Sequence, residues 1–231
     1  MSSGRRPARV VSLVPSFTET LRAWGLDPIA CTRYCEQPDL PTIGGTKNPD
    51  LDAIVALEPD LVLLDKEENR REDSAVLLER GLELFVTDIR TLGSVAGELD
   101  RLACALGLAP RTGHWPDFAA RPATRRAFVP IWRRPWMSIG VRTYGSSVLE
   151  ALGIANVYAD DDRDYPEVDL DDVASRRPDV ILVPSEPYDF EPPHLVELEG
   201  IAPVIEIDGR DLFWWGVRTP AALDRLGRAI S

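Results

Sequence analysis

Histidine is almost missing from this chain: His114 and His194 are the two in 231 residues. A transition metal held by side chains needs several imidazoles converging with carboxylates or thiolates. His114 lies in a stretch broken by proline and glycine, and His194 follows Pro192 and Pro193, so no protein-held metal is expected. Cysteine is equally scarce. Three residues, Cys31, Cys35 and Cys104, give no disulfide framework. Cys31 and Cys35 stand wider apart than a C-x-x-C pair and lack a matching second pair, which argues against a metal or redox role. Cys104 falls in an apolar-periodic stretch and is expected in the core. No run of about 18 apolar residues is present, so no membrane-spanning helix is expected. Residues 1–7 carry charge but no apolar segment. That predicts no secretory signal and a cytoplasmic chain. The net charge of −12 disfavours nucleic acid and anionic membranes as partners. Among enzyme signatures there is no G-x-S-x-G elbow, no Walker A and no G-x-G-x-x-G after the first strand. The chain reads as a non-enzyme.

What is there begins with Gly44-Gly45-Thr46-Lys47-Asn48-Pro49. The glycines permit positive φ or close backbone approach. A short helix follows, capped by Asn48 or Asp50 and apolar at Leu51, Ile54, Val55 and Leu57. Pro59 stops it. Leu61-Val62-Leu63-Leu64 then reads as a strand buried on both faces. The run Glu58-Pro59-Asp60-Leu61-Val62-Leu63 returns as Arg177-Pro178-Asp179-Val180-Ile181-Leu182. A repeated unit of this kind indicates two similar halves.

Other segments alternate strand and helix in the same way. Arg9–Val14 is a strand, and Ser16 with Glu19 is the expected capping box of the first helix. Leu92 to Leu108 has helical periodicity. A single strand is expected over 126–132, a loop over 133–137, a helix from Thr143 to Leu152 and a loop over 208–218. Pro110, Gly113, Pro116 and Pro122 break the stretch between the halves, leaving room for at most a short helix near 116–121. The domain reading is 8–108 for an N-terminal α/β lobe, 109–125 for a connector and 126–231 for a C-terminal α/β lobe.

"NPDLDAIVALEPDLVLLD" resembles the signature of the class III substrate-binding proteins of ABC importers, the cobalamin and ferric-siderophore receptors. "GGTKNPD" followed by "KEENRRED" is similar to a narrower branch, the helical-backbone metal receptors. The resemblance covers residues 9–107 and 126–231. It implies two Rossmann-like lobes with mostly parallel sheets facing across a cleft. It also implies a non-catalytic binder of cobalamin or a ferric siderophore, no intrinsic cofactor, and an ABC permease as partner if the chain is exported. Export would place the chain in the periplasm or outside the cell. One carboxylate per lobe would dock on the permease: Glu68 or Glu72, and Glu186 or Glu191. A monomer is expected.

In open parallel sheets ligands sit outside the strands' carboxyl ends. The residues read there are Ser16, Thr18, Tyr34, Thr46, Lys47, Asn69 and Arg70 in the first lobe. In the second they are Trp132, Arg133, Trp136, Tyr144, Glu186, Trp214, Trp215 and Arg218. Broad, partly apolar chelates suit aromatic faces beside arginines. Two other readings stay open: Ser16, Thr18 and Glu19 as helix capping, and Trp132 and Trp136 as lobe packing. A cytosolic chelatase-like enzyme or chaperone of tetrapyrrole or siderophore metabolism is the alternative function. The acidic run Asp160-Asp161-Asp162 reads as a solvated loop.

Overall fold

Four short parallel strands carry the first half of the chain in the computed structural model, which describes residues 9–113 and 115–231. β1 (Val10–Ser12) leads through α1 (Pro15–Ala23) to β2 (Ala30–Cys31) and a 3₁₀ turn (Arg33–Cys35). α2 (Leu51–Ala56) precedes β3 (Leu61–Asp65), and α3 (Arg71–Glu79) returns the chain to β4 (Leu84–Thr87) before α4 (Leu92–Ala105). The sheet order is β2-β1-β3-β4. Every residue of β3 is buried, as a continuous apolar run requires of a strand covered on both faces. Val11, Leu13, Ile54, Val62, Leu64 and Leu77 share one core.

The helix starts follow backbone needs. The Asp50 carboxylate accepts the Ala53 N–H at 2.9 Å and caps α2. The capping box expected at Ser16 does not form. α1 begins two residues earlier than that cap requires, at Pro15, behind Val14. Proline suits a first helical position because no amide is needed there. Cys104 is a second correction: it is exposed. Leu99, Leu102, Ala103 and Leu106 are buried, and Cys104 falls off that stripe of α4.

The second half repeats the parallel sheet and adds an antiparallel one. Its elements in order are β5 (Arg125–Phe128), β6 (Pro130–Trp132), β7 (Trp136–Ser138), α5 (Tyr144–Ala151), β8 (Ile154–Asn156) and β9 (Glu167–Val168). Then come α6 (Leu170–Ser175), β10 (Val180–Pro184), α7 (Pro192–Glu199), β11 (Val204–Ile207), α8 (Gly209–Phe213) and α9 (Thr219–Ile230). Strands β11-β10-β5-β8 are parallel, whereas β6-β7-β9 are antiparallel. The single strand expected over 126–132 is therefore two. Pro130 cannot donate to a ladder, and the chain changes sheets there. The loop expected at 133–137 is the β6–β7 hairpin turn over 133–135 followed by the first residues of β7. The loop expected at 208–218 contains α8, capped by the Asp208 side chain.

The repeated Pro-Asp unit is built alike in both halves. Asp60 exchanges bonds with Arg9: the Arg9 N–H donates to Asp60 Oδ2 (2.9 Å) and the Asp60 N–H to the Arg9 carbonyl (2.8 Å). Asp179 does the same with Arg126, at 2.7 and 2.8 Å. The preceding Glu58 and Arg177 both take positive φ, 45° and 52°. Each carboxylate thus pins the start of its buried strand to the neighbouring strand.

By packing, residues 9–89 with 95–115 form one unit, and residues 90–94 with 116–231 form the other. Residues 115–124 are non-helical. His114 lies outside the described residues.

Candidate functional site

At the strand ends of the first unit, several residues expected to meet ligand serve the scaffold. Ser16 and Thr18 are buried, and Thr18 Oγ1 lies 2.8 Å from Ser12 Oγ and 3.2 Å from Cys35 Sγ. Thr46 is buried, and its carbonyl accepts from the Asn69 amide at 3.0 Å. Asn69 also donates to the Leu13 carbonyl (3.2 Å) and accepts from the Asp65 N–H (2.9 Å). Asp65 is buried beneath, its carboxyl pushed up by burial although Thr87 and the Glu67 N–H donate to it.

Tyr34, Lys47 and Arg70 face solvent. Tyr34 is 51% exposed, with the Arg33 guanidinium 5.0 Å from its ring centroid. Both lie over the glycine loop. A Cβ at Gly45 would meet Asn48 Oδ1 at 2.5 Å, the Arg33 guanidinium at 3.0 Å and the Tyr34 ring at 3.1 Å, so a side chain there would push these three side-chain ends aside. The Lys47 ammonium donates to the Glu67 carbonyl. Arg70 stands 3.7 Å from Glu72. Lys66, Asn69, Arg70, Arg71 and Ser74 line a cavity of about 580 Å³.

In the second unit the β6–β7 hairpin and the segment after β10 build an aromatic platform. Trp132, 45% exposed, meets the Tyr188 ring edge-on at 5.1 Å. Tyr188 tilts onto Phe190 at 4.7 Å, and Phe190 stacks on Trp136 at 5.9 Å. Arg133 lies 5.7 Å from the Trp136 centroid and pairs with Glu197 at 2.5 Å. His194 closes the group, 5.9 Å from Tyr188. Its Nδ1 accepts the Glu191 N–H at 3.0 Å within the capping box of α7. Ring pairs of this geometry gain about 0.5–1.5 kcal/mol each beyond area burial.

The ends of β10 and β11 are held together by contact. Gly209 N–H donates to Ser185 Oγ at 3.0 Å, and a Cβ on Gly209 would strike the Glu186 backbone N and O at 2.7 Å. Beyond them the half-buried Trp214 sits between two guanidiniums, Arg210 at 6.0 Å and Arg218 at 5.3 Å. Arg218 pairs with the buried Asp211 at 3.3 Å, as Arg225 does at 2.6 Å. Trp215 and Tyr144 are buried. The Tyr144 hydroxyl sits 3.1 Å from Thr219 Oγ1, and burial pushes its phenol up.

The structure thus brings together Trp132, Arg133 and Trp136, and separately Trp214 and Arg218, with Glu186 against Gly209 at the start of α8. It withdraws Tyr144 and Trp215 into the interior. Sequence reading missed Tyr188, Phe190, His194 and Arg210. The available signal was aromatics two apart just after a buried strand, framed by Pro187 and Pro192. Of the four expected docking carboxylates, Glu72 and Glu191 are exposed and Glu68 and Glu186 half-buried. The acidic loop is tied by arginine: Asp161 to Arg163, Asp160 to Arg176, and Asp164 to Arg90 and Arg142. Among the described residues no three His, Cys, Asp or Glu side chains are grouped to hold a metal ion. No helix of the described residues is long and apolar enough to cross a membrane.

No family model matches the chain. A vitamin B12-binding protein of Yersinia pestis (strain Pestoides F) is 28% identical over 193 residues, covering 76% of this chain and 69% of the relative. One from Photorhabdus laumondii is 28% identical over 194 residues, covering 77% and 70%. Among solved structures, the periplasmic vitamin B12 binding protein BtuF of Vibrio cholerae superposes with TM-score 0.77 at 20% identity, over 97% of each chain. The periplasmic heme-binding protein RhuT from Roseiflexus sp. RS-1 gives 0.78 at 22% identity, over 96% of this chain and 97% of that one.

Proposed function

We propose that this chain is a class III substrate-binding protein of an ABC importer, a non-catalytic receptor for a broad, partly apolar metal chelate; its vitamin B12-binding relatives and periplasmic neighbours support the reading. The observation that carries the reading is the platform of Trp132, Tyr188, Phe190 and Trp136 beside Arg133. Flat rings bury a chelate's apolar face at little cost in conformational entropy, and a guanidinium meets its polar rim. Trp214 between Arg210 and Arg218 offers the same chemistry at the end of β11. In the first lobe, Tyr34 with Arg33, Lys47 and Arg70 are the exposed candidates. Ser16, Thr18, Thr46 and Asn69 act by holding the strand ends that present them.

The relatives' names point to cobalamin and the neighbours' titles add haem, and a ferric siderophore has the same broad chelate character. An ABC permease is the partner that fits the family, with Glu72 and Glu191 as the exposed docking carboxylates. A monomer is the oligomeric state proposed. The neighbours are titled periplasmic. The cytoplasmic location expected from the sequence finds no support in them, and cell fractionation decides it. The chelatase-like alternative is not favoured, since relatives and neighbours alike are named as binding proteins.

Tryptophan emission, titrated with cobalamin, cobinamide, haem and a ferric trihydroxamate, tests the reading. One of these is expected to quench saturably and stoichiometrically, without product. Trp132→Ala with Trp136→Ala should weaken that ligand at least tenfold, equivalent to about 1.4 kcal/mol, with circular dichroism unchanged. No saturable quenching by any of the four would overturn it.

A further inference from the structure

Two thiols that no ligand reading uses meet at the carboxyl ends of β1 and β2. Cys31 ends β2 and Cys35 ends the 3₁₀ turn, and both are buried. The Cys31 thiol adjoins the Cys35 sulfur. Two hydroxyls also face that sulfur, Thr18 Oγ1 at 3.2 Å and Thr32 Oγ1 at 3.3 Å. Polar hydrogens around a sulfur stabilise its thiolate. They bring Cys35 down to about 6, against the opposing effect of burial. The Cys31 thiol is pushed up, first by Cys35 and then by its own burial. One sulfur is thus a nucleophile at neutral pH and its neighbour a protonated partner. An ordinary buried cysteine is an inert small hydrophobe, and such a residue needs no hydroxyl donors. The cover over the pair is thin. Arg33 and Tyr34 within the turn are exposed, and Glu36 just after it takes a φ of 52°, unusual for a residue with a side chain. A local opening of this one turn admits a small molecule.

We infer that Cys31 and Cys35 form a reversible oxidative modification site, closed to a disulfide by a small hydroperoxide. The Cys35 thiolate attacks one peroxide oxygen. The O–O bond breaks, and the leaving alkoxide or hydroxide takes a proton from water. Cys35 then carries a sulfenic acid. The Cys31 sulfur attacks that sulfur, the S–O bond breaks, and the departing hydroxide leaves as water with the Cys31 proton. Two electrons pass from the sulfurs to the peroxide. The bond ties the end of β2 to the end of the turn that presents Arg33 and Tyr34. A dithiol reductant reverses it by exchange.

The test uses the full chain with Cys104→Ser, which removes the exposed third thiol. After hydrogen peroxide, thiols are counted in denaturant and the intact mass is measured. The expected result is loss of both thiols with a mass fall of about 2 Da, as disulfide formation requires, restored by dithiothreitol. The oxidation rate should rise as pH passes about 6, where the Cys35 thiolate forms. Cys31→Ser should instead gain oxygen at Cys35, about 16 or 32 Da on the sulfenic and sulfinic steps. Cys35→Ser should leave Cys31 reduced. Two thiols still titrating after peroxide that oxidises the Cys104-containing parent at Cys104 would overturn the inference. So would equal reactivity of Cys31 in Cys35→Ser. Circular dichroism of each variant separates these outcomes from unfolding.

Discussion

Asn69 spends its whole side-chain amide on the backbone. It accepts from the Asp65 N–H and donates to the carbonyls of Leu13 and Thr46. These three groups belong to the end of β3, the segment after β1 and the glycine loop, so one residue gathers three stretches of the first lobe. Asn69→Leu leaves all three without their partner while changing side-chain volume little. A buried unsatisfied group costs about 1–3 kcal/mol. The expected loss in chemical denaturation is at the upper end of that range, with ligand affinity falling only as the loop loosens. If Asn69 touches the ligand directly, affinity falls while the denaturation midpoint holds. The sequence made Asn69 a ligand residue because it stands at a strand end, and position alone cannot tell a strut from a contact. Tyr144 and Trp215 carry the same expectation and are buried: polar-tipped aromatics suit an interior when a partner is near, as Thr219 is for Tyr144.

Elements were legible where periodicity or punctuation is strong. β3 and β10 are continuous apolar runs after Pro-Asp, and both pin to a neighbouring arginine backbone through that aspartate. α8 was illegible. It has five residues, too few to show a period, and its signal is the Asp208 cap alone. The β6–β7 hairpin was read as strand and loop because it turns on Arg133-Arg134-Pro135 between tryptophans, without a glycine turn signature. Yet these two unread elements carry much of the proposed platform. α8 is set by Gly209, which has no room for a side chain against Glu186. Gly209→Ala forces the Glu186 backbone or the start of α8 to shift, and overpacking of this kind costs about 1–3 kcal/mol. The expected outcome is a lower melting temperature together with weaker ligand quenching, because Tyr188 and Trp214 flank the displaced contact on either side. A variant with unchanged affinity and melting temperature would mean that the two strand ends adjust independently.

At the scale of the whole chain, the matched Arg9–Asp60 and Arg126–Asp179 clamps make the two-lobe reading physical: one repeated hexapeptide starts a central strand in each sheet. The same logic marks the connector as the place where regular structure ends. Asp100 holds its beginning, accepting from Arg111 N–H, Thr112 N–H and the Thr112 hydroxyl. Its far end docks on α5, with the Arg121 N–H to the Glu150 carbonyl and the Thr124 N–H to the Gly153 carbonyl, each 2.9 Å. Between these anchors the chain forms neither helix nor strand over residues 115–120. A cavity of about 710 Å³ lies between this strap and α9. We place the lobe boundary within residues 109–125 on that ground. Segments outside regular structure exchange fastest and are cut first. In native hydrogen exchange, Asp117, Ala119 and Ala120 should lose protection well before Arg121 and Thr124. A non-specific protease at low dose should make its first cut there. First cleavage inside the acidic loop 160–164 would instead put the weakest backbone within the second lobe, and the proposed boundary would fall.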